Sequence, residues 1–90
     1  MSNSILIISK PNCGPCKALK SFIGTLDMSC QNHISVLDEK TSTMDELHNI
    51  LDSYGSYGFP TLILQSPGGD RVITGFGMQT VDIIKNHLGC

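Results

Sequence analysis

The chain has 90 residues, 40% apolar and only 16% charged, which suits one modest core and excludes an intrinsically disordered polymer. Six Lys/Arg against eight Asp/Glu leave a formal charge of −2 and a pI near 5.8, and no basic run is interleaved with aromatics. Capture of nucleic acid or of an anionic membrane surface by charge is therefore excluded.

The first predicted element is "SILIIS" (Ser4–Ser9), a short apolar run bounded by polar residues that reads as a strand buried on both faces. Its apolar core, Ile5 to Ile8, falls far short of the roughly 20 residues that span a bilayer. The residues before it lack the basic region and small-residue cleavage site of a signal peptide. The expectation is a single domain over residues 1–90 in the cytoplasm, where thiols stay mostly reduced, with monomer as the default.

"SKPNCGPCK" (Ser9–Lys17) comes next, and then Leu19, Phe22, Ile23 and Leu26 recur as an i, i+3, i+4, i+7 stripe. This spacing predicts a helix from Cys13 to about Asp27. "HISVLD" (His33–Asp38) reads as a second strand. "STMDELHNILDSYG" reads as a second helix, with Ser42 or Thr43 as N-cap, Asp45 and Glu46 in its first turn, and Gly55 at its stop. Pro60–Gln65 is a third strand opened by proline, and "SPGGD" is a turn in which Gly68 or Gly69 takes a positive φ. "RVITGF" returns as a fourth strand to close a hairpin over Thr61–Thr74. "MQTVDIIKNHLG" is a last helix, with Val81, Ile84 and Leu88 on one face and Gly89 past its end. The order β-α-β-α-β-β-α gives an α/β fold. Its first two strands are parallel through a right-handed crossover, the last two are antiparallel, and helices cover both faces of a four-stranded mixed sheet.

A strand, then Cys-x-x-Cys, then a helix places Cys13 at a helix N-terminus, where unpaired N–H groups and the positive end of the dipole stabilise a thiolate. The Cys13 thiol is expected below the free value of about 8.5, with Lys10 and Lys17 adding positive potential. Cys16 lies most of a turn on, more buried, and is expected to hold its proton longer. One sulfur can then attack a disulfide and the other resolve the mixed disulfide. Pro15 in the first turn loses no needed N–H and stiffens the loop. Of the remaining cysteines, Cys30 is expected as a small buried or half-buried thiol, and Cys90 as a mobile residue that forms adventitious dimers in air. A zinc set of Cys13, Cys16, Cys30 and His33 stays open on spacing alone. His33, His48 and His87 suggest no chemistry.

With these residues in place, the chain resembles the thioredoxin superfamily over its whole length, and within it the short glutaredoxin-type redoxins. Cys-Gly-Pro-Cys (Cys13–Cys16) resembles the thioredoxin motif. Lys10 matches the glutaredoxin lysine that positions glutathione or a substrate carboxylate. "GFPT" (Gly58–Thr61) matches the family's cis-proline loop, and "GFG" (Gly75–Gly77) its glycine pair before the last helix. The resemblance implies that Pro60 is cis and turns the Phe59 N–H and C=O toward an extended substrate. It also implies that Lys10, Gly14, Pro15, Phe59, Pro60, Gly75 and Phe76 contact substrate, Phe59, Tyr57 and Phe76 forming an apolar collar round Cys13 and Cys16. The chain departs from the pattern where thioredoxins carry an extra N-terminal strand and helix, a Trp before the first Cys (here Asn12) and a buried acid (here Ile7). It also has no acidic pair after the glycines, where Gly77-Met78-Gln79 stand, and a proton-relay role could fall to Asp38.

What the resemblance implies is a dithiol–disulfide oxidoreductase with no bound cofactor. Its electrons would come from NADPH through thioredoxin reductase or glutathione, and its client would be a protein disulfide, with ribonucleotide reductase as candidate. A glutathione-dependent glutaredoxin is the nearest rival, and a non-catalytic binding subunit on the same fold is the rival from another class.

Overall fold

The computed structural model describes residues 3–56 and 58–90. In chain order the elements are β1 (Ser4–Ile8), α1 (Gly14–Ile23), α2 (Met28–Gln31), β2 (Ile34–Leu37), α3 (Met44–Tyr54), β3 (Thr61–Gln65), β4 (Arg71–Thr74) and α4 (Met78–Leu88). The strands form one sheet in the order β2-β1-β3-β4, with β1 and β2 parallel and the β1–β3 and β3–β4 pairs antiparallel. The element order, the parallel first pair and the antiparallel last pair are as expected, with one short helix added; the strand order and the β1–β3 pairing come from the structure.

The two central strands are apolar on both faces because both faces are covered. Alternation along β1 sends Ile5 and Ile7 into a core shared with Leu19 of α1 and Ile84 of α4, and Ile8 into a second core with Leu47 and Leu51 of α3. On β3, Leu62 and Leu64 join the first core and Ile63 the second. Helices α1 and α4 therefore share one face of the sheet, and α3 has the other.

The first helix stops at Ile23, short of the expected Asp27. Gly24 caps it, its N–H bonding the Lys20 carbonyl, and the N–H groups of Thr25 and Leu26 donate only across three residues, to the Phe22 and Ile23 carbonyls. Leu26 still packs on the core, so the apolar stripe outlasts the helix that it suggested. The chain then makes the extra turn α2, too short to announce itself by periodicity. Helix α3 has Thr43 as its N-cap, with a reciprocal Thr43–Glu46 box, and ends at Gly55 in the left-handed conformation (φ 70°). On α4 it is Ile83, with Ile84 and Leu88, that packs on the core, rather than the expected Val81.

One row across the sheet positions the loops. Leu37, Ile8, Thr61 and Thr74 are in register, and each ends or begins its strand. The segments leaving that row carry Asp38, Ser9 to Asn12, Phe59–Pro60 and Gly75–Gly77. Four stretches far apart in sequence thus meet at one sheet edge.

Candidate active site at the sheet edge

Cys13 is the N-cap of α1, in extended backbone (φ −114°, ψ 108°), and its Sγ accepts the Cys16 backbone N–H at 3.2 Å. A sulfur thus holds the position that a Ser or Asp oxygen commonly takes. The same N–H and the helix dipole favour negative charge on that sulfur. Pro15 sits in the first turn, as expected, and Gly14 opens the helix with open space where a Cβ would stand. Both cysteines are buried, Cys13 at 6% and Cys16 at 2% exposure, so the expected asymmetry is present but small. Here they are joined as a disulfide with Cα atoms 5.2 Å apart. Asn12, just before Cys13, takes a positive φ of 56°, a conformation that Asn tolerates better than most residues. It replaces the Trp of the resembled pattern with a turn former.

The Phe59–Pro60 peptide is cis. What holds this loop was not legible in the motif. The Thr61 hydroxyl donates to the Gly58 carbonyl at 2.6 Å, and the Ser56 hydroxyl lies 2.9 Å from both the Thr61 and the Thr74 hydroxyls. The Pro60 carbonyl accepts the Gly75 N–H at 2.8 Å, tying the proline loop to the glycine turn. Gly58 is needed for a steric reason: a Cβ there would run into the Thr74 methyl group. Gly75 has φ 90°, which favours glycine, and the Thr80 hydroxyl accepts the Gly77 N–H at the start of α4.

The remaining site residues divide. Lys10 is exposed, with Nζ 5.3 Å from the centroid of the Phe59 ring, so these two expected contact residues pack on each other. Phe59 is half-buried against the α3 core, and Phe76 packs on the other core with its ring centroid 6.2 Å from that of Phe22. Phe59 and Phe76 therefore belong to cores on opposite faces and meet solvent only in part. Tyr57, the third expected member of the apolar collar, lies outside the described residues. A groove of about 570 Å³ runs along Ile73–Thr80 and Ile83, with Met78 92% exposed at its margin.

Asp38 leaves the end of β2 and is nearly buried, its carboxylate 3.2 Å from Lys20 Nζ on α1 and accepting the Lys40 N–H. Burial by itself pushes this carboxyl up. The Lys40 N–H, the hydrogen bond and charge of Lys20, and the Thr41 N–H together outweigh it and hold Asp38 below the usual carboxylate range. Lys20 lies four residues after Cys16 on the same helix face, and nothing in the sequence marked it as this partner. Ser9, fully buried at the end of β1, has the one buried side-chain oxygen without a hydrogen-bond partner among the described residues.

Two expectations are corrected. Cys30 is paired with Cys90 in a second disulfide, with Cα atoms 6.5 Å apart, so neither is the isolated thiol expected and Cys90 is tied down. The set Cys13, Cys16, Cys30 and His33 is not brought together, because the second pair lies at the far edge of the sheet. His87 is half-buried, with Nε2 within 3.1 Å of the Ser4 carbonyl and 3.0 Å of the Gln65 carbonyl, so it fastens α4 across β1 and β3. A cleft of about 430 Å³ beside it, lined by Asn3, Arg71 and Asn86 among others, also lies away from Cys13 and Cys16.

A scan against protein-family models finds no match, and a search of curated proteins finds none either. Solved structures do match. The chain is similar to the Malassezia sympodialis thioredoxin (Mala s 13), at 16% identity and a TM-score of 0.67, over 96% of this chain and 75% of that one. It is similar to the oxidised mitochondrial thioredoxin 3 of Saccharomyces cerevisiae, at 20% identity and a TM-score of 0.67, over 94% and 78%. It is also similar to the reduced C-terminal domain of Neisseria meningitidis DsbD, at 17% identity and a TM-score of 0.69, over 96% and 81%. No helix among the described residues is long and apolar enough to cross a membrane. The likeness and the Cys-x-x-Cys geometry converge on one statement: the chain has the thioredoxin fold, with a Cys13–Cys16 dithiol–disulfide centre built for thiol–disulfide exchange at the start of its first helix.

Proposed function

We propose that the protein is a cytoplasmic dithiol–disulfide oxidoreductase that reduces disulfides in protein clients, the 90 residues acting as one domain. The observation that carries this is the Cys13 sulfur held at a helix N-cap by the Cys16 N–H, at the same end of the sheet as the cis Phe59–Pro60 peptide. The Cys13 thiolate attacks one client sulfur; the Cys13–client bond forms and the other client sulfur leaves as thiolate. Cys16 then attacks Cys13, the Cys13–Cys16 bond forms, and the client leaves reduced by two electrons. The partly exposed Phe59 on one face and Gly75 with Phe76 on the other flank the strand ends where a client segment docks, the buried Pro60 fixes the loop between them, and Gly14 leaves the approach open.

The electrons come from NADPH, through thioredoxin reductase or through glutathione. Lys10 supports the glutathione route, since an exposed ammonium beside an aromatic ring suits a carboxylate-bearing thiol. Ribonucleotide reductase is the candidate client, on the resemblance to the small glutaredoxin-type redoxins. The test follows NADPH oxidation with the oxidised protein as acceptor, in one cuvette with thioredoxin reductase and in another with glutathione and glutathione reductase. Turnover in either supports the proposal and assigns the donor. Failure in both, with a model protein disulfide also untouched by the chemically reduced protein, overturns it.

A further inference from the structure

The second disulfide joins parts of the chain that the first does not touch. Cys30 lies in α2, just before the start of β2, where the His33 carbonyl accepts the Ile5 N–H. Cys90 follows Gly89, the left-handed cap of α4 (φ 74°), and its N–H bonds the Lys85 carbonyl at 2.9 Å. Both lie at the sheet edge opposite Cys13. The five residues of β1 separate the edges by about 16 Å at roughly 3.3 Å per residue, so Cys13 of one molecule cannot reach Cys90 of the same molecule.

The two sulfurs differ in access. Cys30 is 8% exposed, whereas Cys90 is open to solvent. Cys90 is therefore the sulfur that an incoming thiolate meets first, and exposed disulfides are the ones that exchange readily. Taking the proposed function as its basis, we propose that Cys30–Cys90 is a second exchange site, and that its reductant is the Cys13/Cys16 dithiol of a second copy of this chain.

The donor's Cys13 thiolate attacks the Cys90 sulfur. The Cys13–Cys90 bond forms, the Cys30–Cys90 bond breaks, and the electron pair leaves on Cys30, which takes a proton from solvent. The donor's Cys16 thiolate then attacks Cys13, closing Cys13–Cys16 and releasing Cys90, which is protonated in turn. Two electrons pass from donor to acceptor, and no other oxidant or reductant takes part. The acceptor then holds two thiols where α2 was tied to the end of α4.

The experiment mixes two forms of the full chain. The donor is Cys30→Ser/Cys90→Ser, reduced and freed of reductant. The acceptor is Cys13→Ser/Cys16→Ser, oxidised at its remaining pair, and ¹⁵N-labelled oxidised wild type serves as a second acceptor in case that variant does not fold. Acid quenching, alkylation and mass spectrometry count thiols on each partner. The expected result is two new thiols at Cys30 and Cys90 of either acceptor, matched by loss of two from the donor. A donor further changed at Cys16→Ser is expected to stop as a covalent complex through Cys13 and Cys90. A donor that reduces insulin but leaves Cys30–Cys90 intact overturns this proposal alone. A donor that reduces neither overturns it together with the proposed function. A complex mapped to Cys30 overturns the assignment of the entry point.

Discussion

Gly58 illustrates a residue whose role is set by what it lacks. A Cβ at this position collides with the Thr74 methyl group, and the loop that would have to give carries Phe59 and Pro60. Gly58→Ala is expected to cost about 1–3 kcal/mol, as overpacking usually does, and to lower exchange activity along with it. Thr74→Ser keeps the hydroxyl that faces Ser56 while deleting the methyl, so Gly58→Ala/Thr74→Ser is expected to recover most of the loss. Denaturant titration of the single and double variants checks this, and a double variant no better than Gly58→Ala would show that Thr74 is not the obstacle. The motif "GFPT" was legible as a family landmark, but the partner of its glycine, Thr74, became visible only with β3 and β4 paired.

Among the elements, α3 was read most completely from sequence because its signals are all local. Thr43, Glu46, the apolar stripe and Gly55 lie within one short stretch, and each acts through the nearest turns of backbone. Thr43 accepts the Glu46 N–H, and Glu46 accepts the Thr43 N–H in return. Removing the hydroxyl by Thr43→Ala leaves the Glu46 N–H without its acceptor and is expected to cost about 1 kcal/mol. Thermal unfolding checks it, and Thr43→Ser is expected to lose much less. Helix α1 was overextended for the converse reason. Leu26 serves the core after the helix has ended, and periodicity reports burial rather than hydrogen bonding.

At the scale of the whole molecule, two long-range links carry predictions. The Cys30–Cys90 bond closes a loop with a sequence separation of 60, which by chain entropy stabilises the native state by about 4 kcal/mol. The Cys30→Ser/Cys90→Ser protein is expected to unfold at distinctly lower denaturant than the oxidised wild type, and close to a wild type selectively reduced at that pair. Equal midpoints for the variant and the oxidised protein would contradict this.

The Asp38–Lys20 pair ties β2 to α1, and its effect depends on pH. The Asp38 carboxyl is held below its ordinary value of about 3.9, so its contribution is complete above that value and is lost as pH falls through the folded one. The Lys20 side chain is 42% exposed, which limits the gain through screening. Wild type is expected to exceed Asp38→Asn in stability by a constant margin above about pH 5, a margin that narrows below about pH 4. Denaturation at a series of pH values checks this, and a margin independent of pH would assign the loss to something other than the charge.

The sequence by itself determined the four strands and the three longer helices (though not where α1 ends), the parallel first pair and antiparallel last pair of strands, and the placing of Cys13 and Cys16 at a helix start. Most of these rest on interactions within about a turn or a hairpin, where spacing and residue type suffice, and the parallel pair rests on the strand–helix–strand crossover. Tertiary structure alone decided that Cys30 finds Cys90, that Lys20 meets Asp38, that Ser56 joins Thr61 to Thr74, and that Phe59 and Phe76 serve opposite cores. These depend on which strand ends share a sheet edge, and that register comes from packing both faces of β1 and β3 at once.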